Sequence, residues 1–318
     1  MHISLLEPIG VSAAQIDELA APIRAAGHTF TYYDQVSTEA QELIRRSEGC
    51  EVVMIANHPY PAQVVRESAA LRMIDVAFTG IDHVGLDACR ERGIMVCNAA
   101  NYSNQTVAEL VIALTLGLLR RVPLADARVR AGGTAAGLTG REIGGKTVGI
   151  IGTGRIGLMT ARLFQAFGAK VIAYSRSVRE EATAIGIEYV SIDTLMRRSD
   201  IISVHTPNNA STRGMIGRAQ IDQMKPTALL INCARGPIVD SAALAQALNE
   251  GRIAGAGVDV YDVEPPIPES EPLLHAKNTL LTPHIAFASE ESMVRRAHIV
   301  FDNLNAYLNG KPQNVCEL

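Results

Sequence analysis

Short apolar runs alternate with amphipathic stretches along the whole chain. In the first hundred residues the runs lie at 3–7, 28–33, 51–56, 72–78 and 94–98. They are nearly continuous in apolar character and too short for helices, which predicts strands buried on both faces. Segments 12–26, 38–48 and 61–70 carry apolar residues at helical spacing. Repeated strand–helix alternation predicts a five-stranded parallel sheet with helices on both sides, a small flavodoxin-like unit.

A long helix is predicted over 104–121, with Asn104 as cap and Arg120 and Arg121 near its end. Pro123 reads as its stop signal. The helix is apolar almost all round, so it should be buried. Residues 130–146 are Gly-rich and polar and read as a surface excursion before a second domain. Six further apolar runs follow at 146–152, 170–175, 200–206, 228–234, 253–260 and 279–284. Six strands with helices between them match a doubly wound dinucleotide domain. A last amphipathic helix over 288–309 ends at Gly310 and Pro312. The predicted fold class is α/β, with two doubly wound parallel-sheet domains.

Composition narrows the picture further. With 318 residues, two domains are expected. Apolar residues make up 47% and charged residues 19%, an ordinary globular balance. The net charge of -4, without a basic stripe, argues against nucleic acid as a partner. The longest apolar stretch is too short to span a bilayer, so no membrane partner is expected. The five cysteines, an odd number without CxxC spacing, predict free thiols in the cytoplasm and no zinc site. The N-terminus shows no signal-peptide pattern.

The motif "VGIIGTGRIG" places Gly152, Gly154 and Gly157 in a G-x-G-x-x-G pattern between an apolar strand and a helix. That context makes it a dinucleotide fingerprint. The loop and the first helical residues, Arg155 and Ile156, then offer backbone N–H groups to a pyrophosphate. The acid that usually grips the adenosine ribose is missing from the end of the next strand, where Ser175 and Arg176 stand instead. Loss of the carboxylate and gain of a cation favour NADP(H). NAD stays usable if Arg176 only lies over the adenine.

Ligands of parallel sheets bind outside the carboxyl ends of the strands. Three polar residues stand there in the second domain: Arg235 after 228–234, Glu264 after 253–260 and His284 at the end of 279–284. A His–Glu metal site lacks a third ligand at sensible spacing. The segments "INCARGPIVDSAALAQAL", "GAGVDVYDVEP" and "LTPHIA" resemble the signature segments of the D-isomer-specific 2-hydroxyacid dehydrogenases. "TGIDHVGLDACRERGIMVCN" and "TVAELVIALTLGLLRR" extend the resemblance over nearly the whole chain. It implies a substrate domain of residues 1–101 and 287–318 and an NAD(P)-binding Rossmann domain of residues 102–286.

The resemblance also implies roles. Hydride transfer to a 2-keto acid places negative charge on the ketone oxygen, and His284 would supply the proton. Glu264 would bond the other ring nitrogen and fix its tautomer. Arg235 would hold the substrate carboxylate. Thr206 and Pro207 should line the adenine side, and Thr106, Cys233, Ala234 and Asp259 the nicotinamide end. Backbone near Thr79 and Gly80 should share the carboxylate, and the segment Asn57-His58-Pro59-Tyr60 should meet the variable end of the acid. A surface loop residue is the plainer reading of His58 within it. The substrate is then a small 2-keto or 2-hydroxy acid, with D-3-phosphoglycerate as an alternative. A coenzyme-sensing binding protein of the corepressor kind is the alternative from another class. The resemblance implies a homodimer formed through the helix over 104–121 and its Gly-rich extension.

Overall fold

The structure, a computed structural model, describes residues 1–264 and 266–318. It divides into two compact units, Met1–Ser103 with Ala288–Leu318, and Asn104–Phe287.

The first unit is built on strands β1 (His2–Leu5), β2 (Thr29–Tyr32), β3 (Val52–Ile55), β4 (Met73–Val76) and β5 (Met95–Asn98). All are parallel, in the order β2-β1-β3-β4-β5. The winding direction changes between β1 and β3, the kind of point at which open parallel sheets tend to bind ligands. The helix Glu290–Leu308 returns to this unit from the far end of the chain. Ser289 and Ser292 form a capping box at its start. Asn303 Nδ2 then donates to Asp75 Oδ1 in the middle of β4 at 3.0 Å.

The second unit contains β6 (Thr147–Ile151), β7 (Lys170–Tyr174), β8 (Glu188–Tyr189), β9 (Ile201–Val204), β10 (Leu229–Asn232), β11 (Gly255–Val258) and β12 (Thr279–Leu281). The order is β12-β11-β10-β9-β6-β7-β8, again all parallel. The winding reverses between β6 and β9. Successive strand residues enter two separate cores: Leu229 and Ile231 join one, Leu230 the other. This is the period-two alternation of a sheet covered on both faces.

Two features depart from the sequence reading. The sheet has seven strands rather than six, because the two-residue edge strand β8 has no apolar run to betray it. The long helix ends at Leu119, and Arg121 adopts a left-handed conformation with φ 54°. A second helix, Val122–Arg130, then starts with Pro123 in its first turn. Proline lacks only an N–H that the first turn leaves unused, so here it starts a helix.

Candidate active site

The glycine loop sits at the switch between β6 and β9. Gly152 has φ 98°, and a Cβ there would lie 2.7 Å from the His205 carbonyl oxygen. A Cβ on Gly157 would lie 2.0 Å from the Gly152 oxygen. Both positions therefore need glycine for the loop to close on itself. A Cβ on Gly154 would meet nothing within 4 Å. The open side of the loop is thus at Gly154, the residue that starts the helix Arg155–Ala166. No side chain caps this helix and its first turn has no acid, so the N–H groups of its first turn, Arg155 and Ile156 included, remain suited to an anion.

Neighbouring polar atoms also lack partners. Thr206 Oγ1 and Asn208 Oδ1 are buried just beyond β9 without a hydrogen bond. Buried polar atoms without partners are uncommon, and at a rim they suit a ligand. His205 is different: its Nε2 pairs with Ser203 Oγ at 2.8 Å, and burial pushes its pKa down to about 3. It is a neutral piece of scaffold. Ser175 is half-buried and Arg176 exposed after β7, with no acid from 174 to 179. Pro207 is exposed, and Thr106 and Ala234 are half-buried. Cys233 is buried, and burial pushes its thiol far up, leaving it neutral.

Arg235, Glu264 and His284 leave β10, β11 and β12, three adjacent strands. Direct contacts stitch these exits together. Gly236 lies so close to the Tyr261–Asp262 backbone that a Cβ would sit 2.0 Å from the Tyr261 carbonyl carbon. Arg235 is thereby placed beside the segment that carries Glu264. Its own Nη1 donates to the Ala234 oxygen at 2.7 Å. Asn232 closes the turn, donating to the Arg235 oxygen and accepting from Ala234 N, each at 3.0 Å. Tyr261 is buried, and its hydroxyl donates to the Thr282 oxygen at 3.1 Å. That bond joins the exits of β11 and β12.

His284 Nδ1 donates to Glu264 Oε2 at 2.7 Å. A carboxylate only accepts, so this bond makes Nδ1 the protonated nitrogen of the pair. His284 has φ 55°, a conformation that must be held in place. Asp259 does much of the holding. Its Oδ1 accepts Thr282 Oγ1 at 2.6 Å and Ile285 N at 2.8 Å. Its Oδ2 accepts Ala286 N at 2.8 Å. The sequence reading placed Asp259 at the nicotinamide. In the structure it is fully buried and secures the turn on both sides of His284.

Asn57, Thr79 and Gly80 belong to the first unit, beyond the carboxyl ends of β3 and β4. Asn57 and Thr79 are exposed, Gly80 is half-buried, and Asn98 Nδ2 donates to the Thr79 oxygen at 2.7 Å. The same edge carries a pair the sequence reading did not single out, Glu7 with His58. An acid closing the apolar stretch "ISLLE" was its visible signal, as a base closing "LLINCAR" was for Arg235. Among the described residues, no three His, Cys, Asp or Glu side chains are grouped to hold a metal ion. No helix among them is long and apolar enough to cross a membrane.

Known proteins resemble this chain. Residues 112–286 match the family described as D-isomer specific 2-hydroxyacid dehydrogenase, NAD binding domain. The chain is 37% identical to a glyoxylate reductase of Korarchaeum cryptofilum over 89% of this chain and 87% of that protein. It is 38% identical to a D-3-phosphoglycerate dehydrogenase of Archaeoglobus fulgidus over 86% of this chain but 52% of that protein. A solved acyclic imino acid reductase, in complex with NADPH and D-Arg, superposes with a TM-score of 0.90 at 30% identity over 100% of both chains. With the glycine loop at the sheet's switch point and relatives alike along most of its length, the chain belongs to the D-isomer specific 2-hydroxyacid dehydrogenase family and is a nicotinamide-dependent oxidoreductase.

Proposed function

We propose that the protein reduces small 2-keto acids to D-2-hydroxy acids, and runs the reverse reaction, with His284, Glu264 and Arg235 as its reacting residues. The observation that carries this is the His284–Glu264 hydrogen bond of 2.7 Å, on a turn secured by Asp259. The nicotinamide, when bound, supplies or accepts the hydride. His284 Nε2 delivers a proton to the ketone oxygen in reduction and takes it back in oxidation. Glu264 holds the ring in the tautomer and orientation this needs. Arg235 binds the substrate carboxylate through its planar fork and fixes the keto carbon. Asp259 is a positioning residue that acts through the His284 turn.

For the coenzyme, Gly152, Gly154 and Gly157 form the cradle, with Arg155 and Ile156 beside the phosphates. Thr206 and Pro207 line the adenine side, and Thr106, Cys233 and Ala234 the nicotinamide end. Ser175 and Arg176 favour NADP(H), a reading supported by the NADPH bound in the imino acid reductase that this chain resembles. Asn57, Thr79 and Gly80 serve the acid. A homodimer is supported by the helix Val122–Arg130, which buries no residue and exposes Val122, Leu124 and Val129. The five free thiols suit the cytoplasm.

The test is a keto-acid panel assayed with NADPH and NADH. His284→Ala should lower kcat by roughly 10²–10⁴-fold, the range for a lost general acid. Glu264→Gln should lower kcat less, and Arg235→Lys should mainly raise KM for the acid. Full activity in His284→Ala would refute the assignment. Phosphoglycerate oxidation is the second reading, favoured by the Archaeoglobus relative at 38% identity. The same panel decides it by including 3-phosphohydroxypyruvate.

A further inference from the structure

The edge strand β8 carries a contact that reaches the glycine loop of the same unit. Tyr189 pairs with Ala173 on β7, and β7 lies between β8 and β6. Alanine is the smallest side chain of β7, and the half-buried Tyr189 packs against the core that includes Ala173. The tyrosine side chain spans this one strand. Its hydroxyl donates to Thr153 Oγ1, just beyond the end of β6, at 2.8 Å. Thr153 stands between Gly152 and Gly154 and is fully buried, so its hydroxyl needs a partner inside the protein.

The same hydroxyl accepts the Arg179 N–H at 3.2 Å. A backbone N–H only donates, so the tyrosine's own hydrogen goes to Thr153 and one hydroxyl serves both partners. Arg179 is the N-cap of the helix Glu180–Ala184. It closes the segment 175–179, which leaves β7 with Ser175 and Arg176 and is exposed from 176 onward. At the root of this segment Gly152 N donates to the Tyr174 oxygen at 2.8 Å. Tyr189 therefore adds a second tie between the two loops, at the far end of 175–179. The strand that carries it is itself held. Arg198 Nη1 and Nη2 donate to the two Glu188 oxygens at 2.8 and 2.9 Å, and Val190 N donates to the Ala173 oxygen at 2.8 Å.

We propose that Tyr189 is a positioning residue for the coenzyme, holding the glycine loop and the segment of Ser175 and Arg176 in one register so that phosphate and ribose grips are formed before the coenzyme arrives. This rests on the coenzyme contacts proposed above. Loops ordered in advance bind more tightly, because less freedom is lost on binding. The test is titration calorimetry of NADPH and NADH onto the free protein, with melting curves of the same samples. Tyr189→Phe keeps the ring and removes the hydroxyl. It should raise the Kd for NADPH roughly tenfold, the upper scale of one hydrogen bond. The Kd for NADH should rise less, since only NADPH offers Arg176 a 2′-phosphate. Thr153→Val leaves the Arg179 bond in place and should weaken both coenzymes alike. In turnover, Tyr189→Phe should raise the coenzyme KM and keep kcat at saturation, the mark of lost uniform binding. Wild-type Kd values in Tyr189→Phe, even with a lower Tm, would make the residue scaffold alone and overturn the proposal. Losses no greater for NADPH than for NADH would overturn it too. Arg176→Ala separates this from a failure of the coenzyme reading: an NADPH Kd unchanged in that variant overturns the ribose assignment itself.

Discussion

Replacing Asp259 with Asn should damage the enzyme through the turn that presents His284. The carboxylate accepts three donors, two on Oδ1 and one on Oδ2. An amide has one oxygen. In its better orientation it keeps Thr282 Oγ1 and Ile285 N and sets an NH₂ against the Ala286 N–H, which is 3% exposed. An unsatisfied buried donor costs roughly 1–3 kcal/mol. The two surviving bonds lose their charge assistance, about 1 kcal/mol each. Removing the charge recovers part of this, because burial raises the Asp259 carboxyl against the pull of its hydrogen bonds. The net loss is about 2 kcal/mol, or ~4–8 °C in Tm for a domain of this size. His284, held at φ 55°, then relaxes, and a shift of about 1 Å lowers kcat roughly 10²-fold. Calorimetry without coenzyme, together with steady-state kinetics, measures both. A coenzyme contact alone would raise the coenzyme KM and leave the Tm of the free protein unchanged, and that result would refute the turn argument.

Gly154→Ala should leave stability within about 0.5 kcal/mol and weaken coenzyme binding, since its Cβ meets only the open side of the loop. Gly157→Ala drives a Cβ to 2.0 Å from the Gly152 oxygen and should lower the Tm even without coenzyme. Equal melting temperatures for the two variants would contradict this. Arg176→Ala should reduce the NADPH-over-NADH ratio of kcat/KM by about tenfold, from one lost charge-assisted contact, and an unchanged ratio would remove Arg176 from coenzyme choice. Asp75 is fully buried and its pKa is pushed up to about 8 by burial, against the Asn303 hydrogen bond. The folded state then keeps a proton that the unfolded chain releases near pH ~4. The stability from this group is present below that pH and declines until it is gone near pH 8. Denaturant midpoints of the wild type should fall over this span relative to Asp75→Asn, and parallel curves would show otherwise.

Apolar runs located every strand but one, and they erred in a consistent direction. The run 3–7 became β1 ending at Leu5, 200–206 became β9 ending at Val204, 228–234 became β10 ending at Asn232, and 279–284 became β12 ending at Leu281. The surplus residues include Glu7, Thr206, Cys233, Ala234 and His284. They leave the strand but stay half-buried or buried at the rim, so burial continues past its last residue. Hydrophobicity reports burial rather than pairing, and cannot mark where a strand becomes a binding edge. The edge strand β8 was invisible for the opposite reason: it is paired to β7 yet little buried.

The site was legible as residue types and illegible as constraints. A cation, an acid and an imidazole closing three apolar segments are visible one at a time, and parallel topology brings their strand ends to one edge. What turns them into a working geometry runs between segments distant in sequence. Gly236 must lack a side chain because of Tyr261, and His284 can hold φ 55° because Asp259 grips Ile285 and Ala286. Local patterns cannot show such dependence, since each member is ordinary in its own segment. Glu7 makes the same point from the other side. It ends an apolar strand as Arg235 does, yet its meaning depends on His58, about fifty residues further on. A charge at the end of a buried strand therefore marks an edge where a partner must be found, and only the fold shows whether that partner is scaffold, coenzyme or substrate.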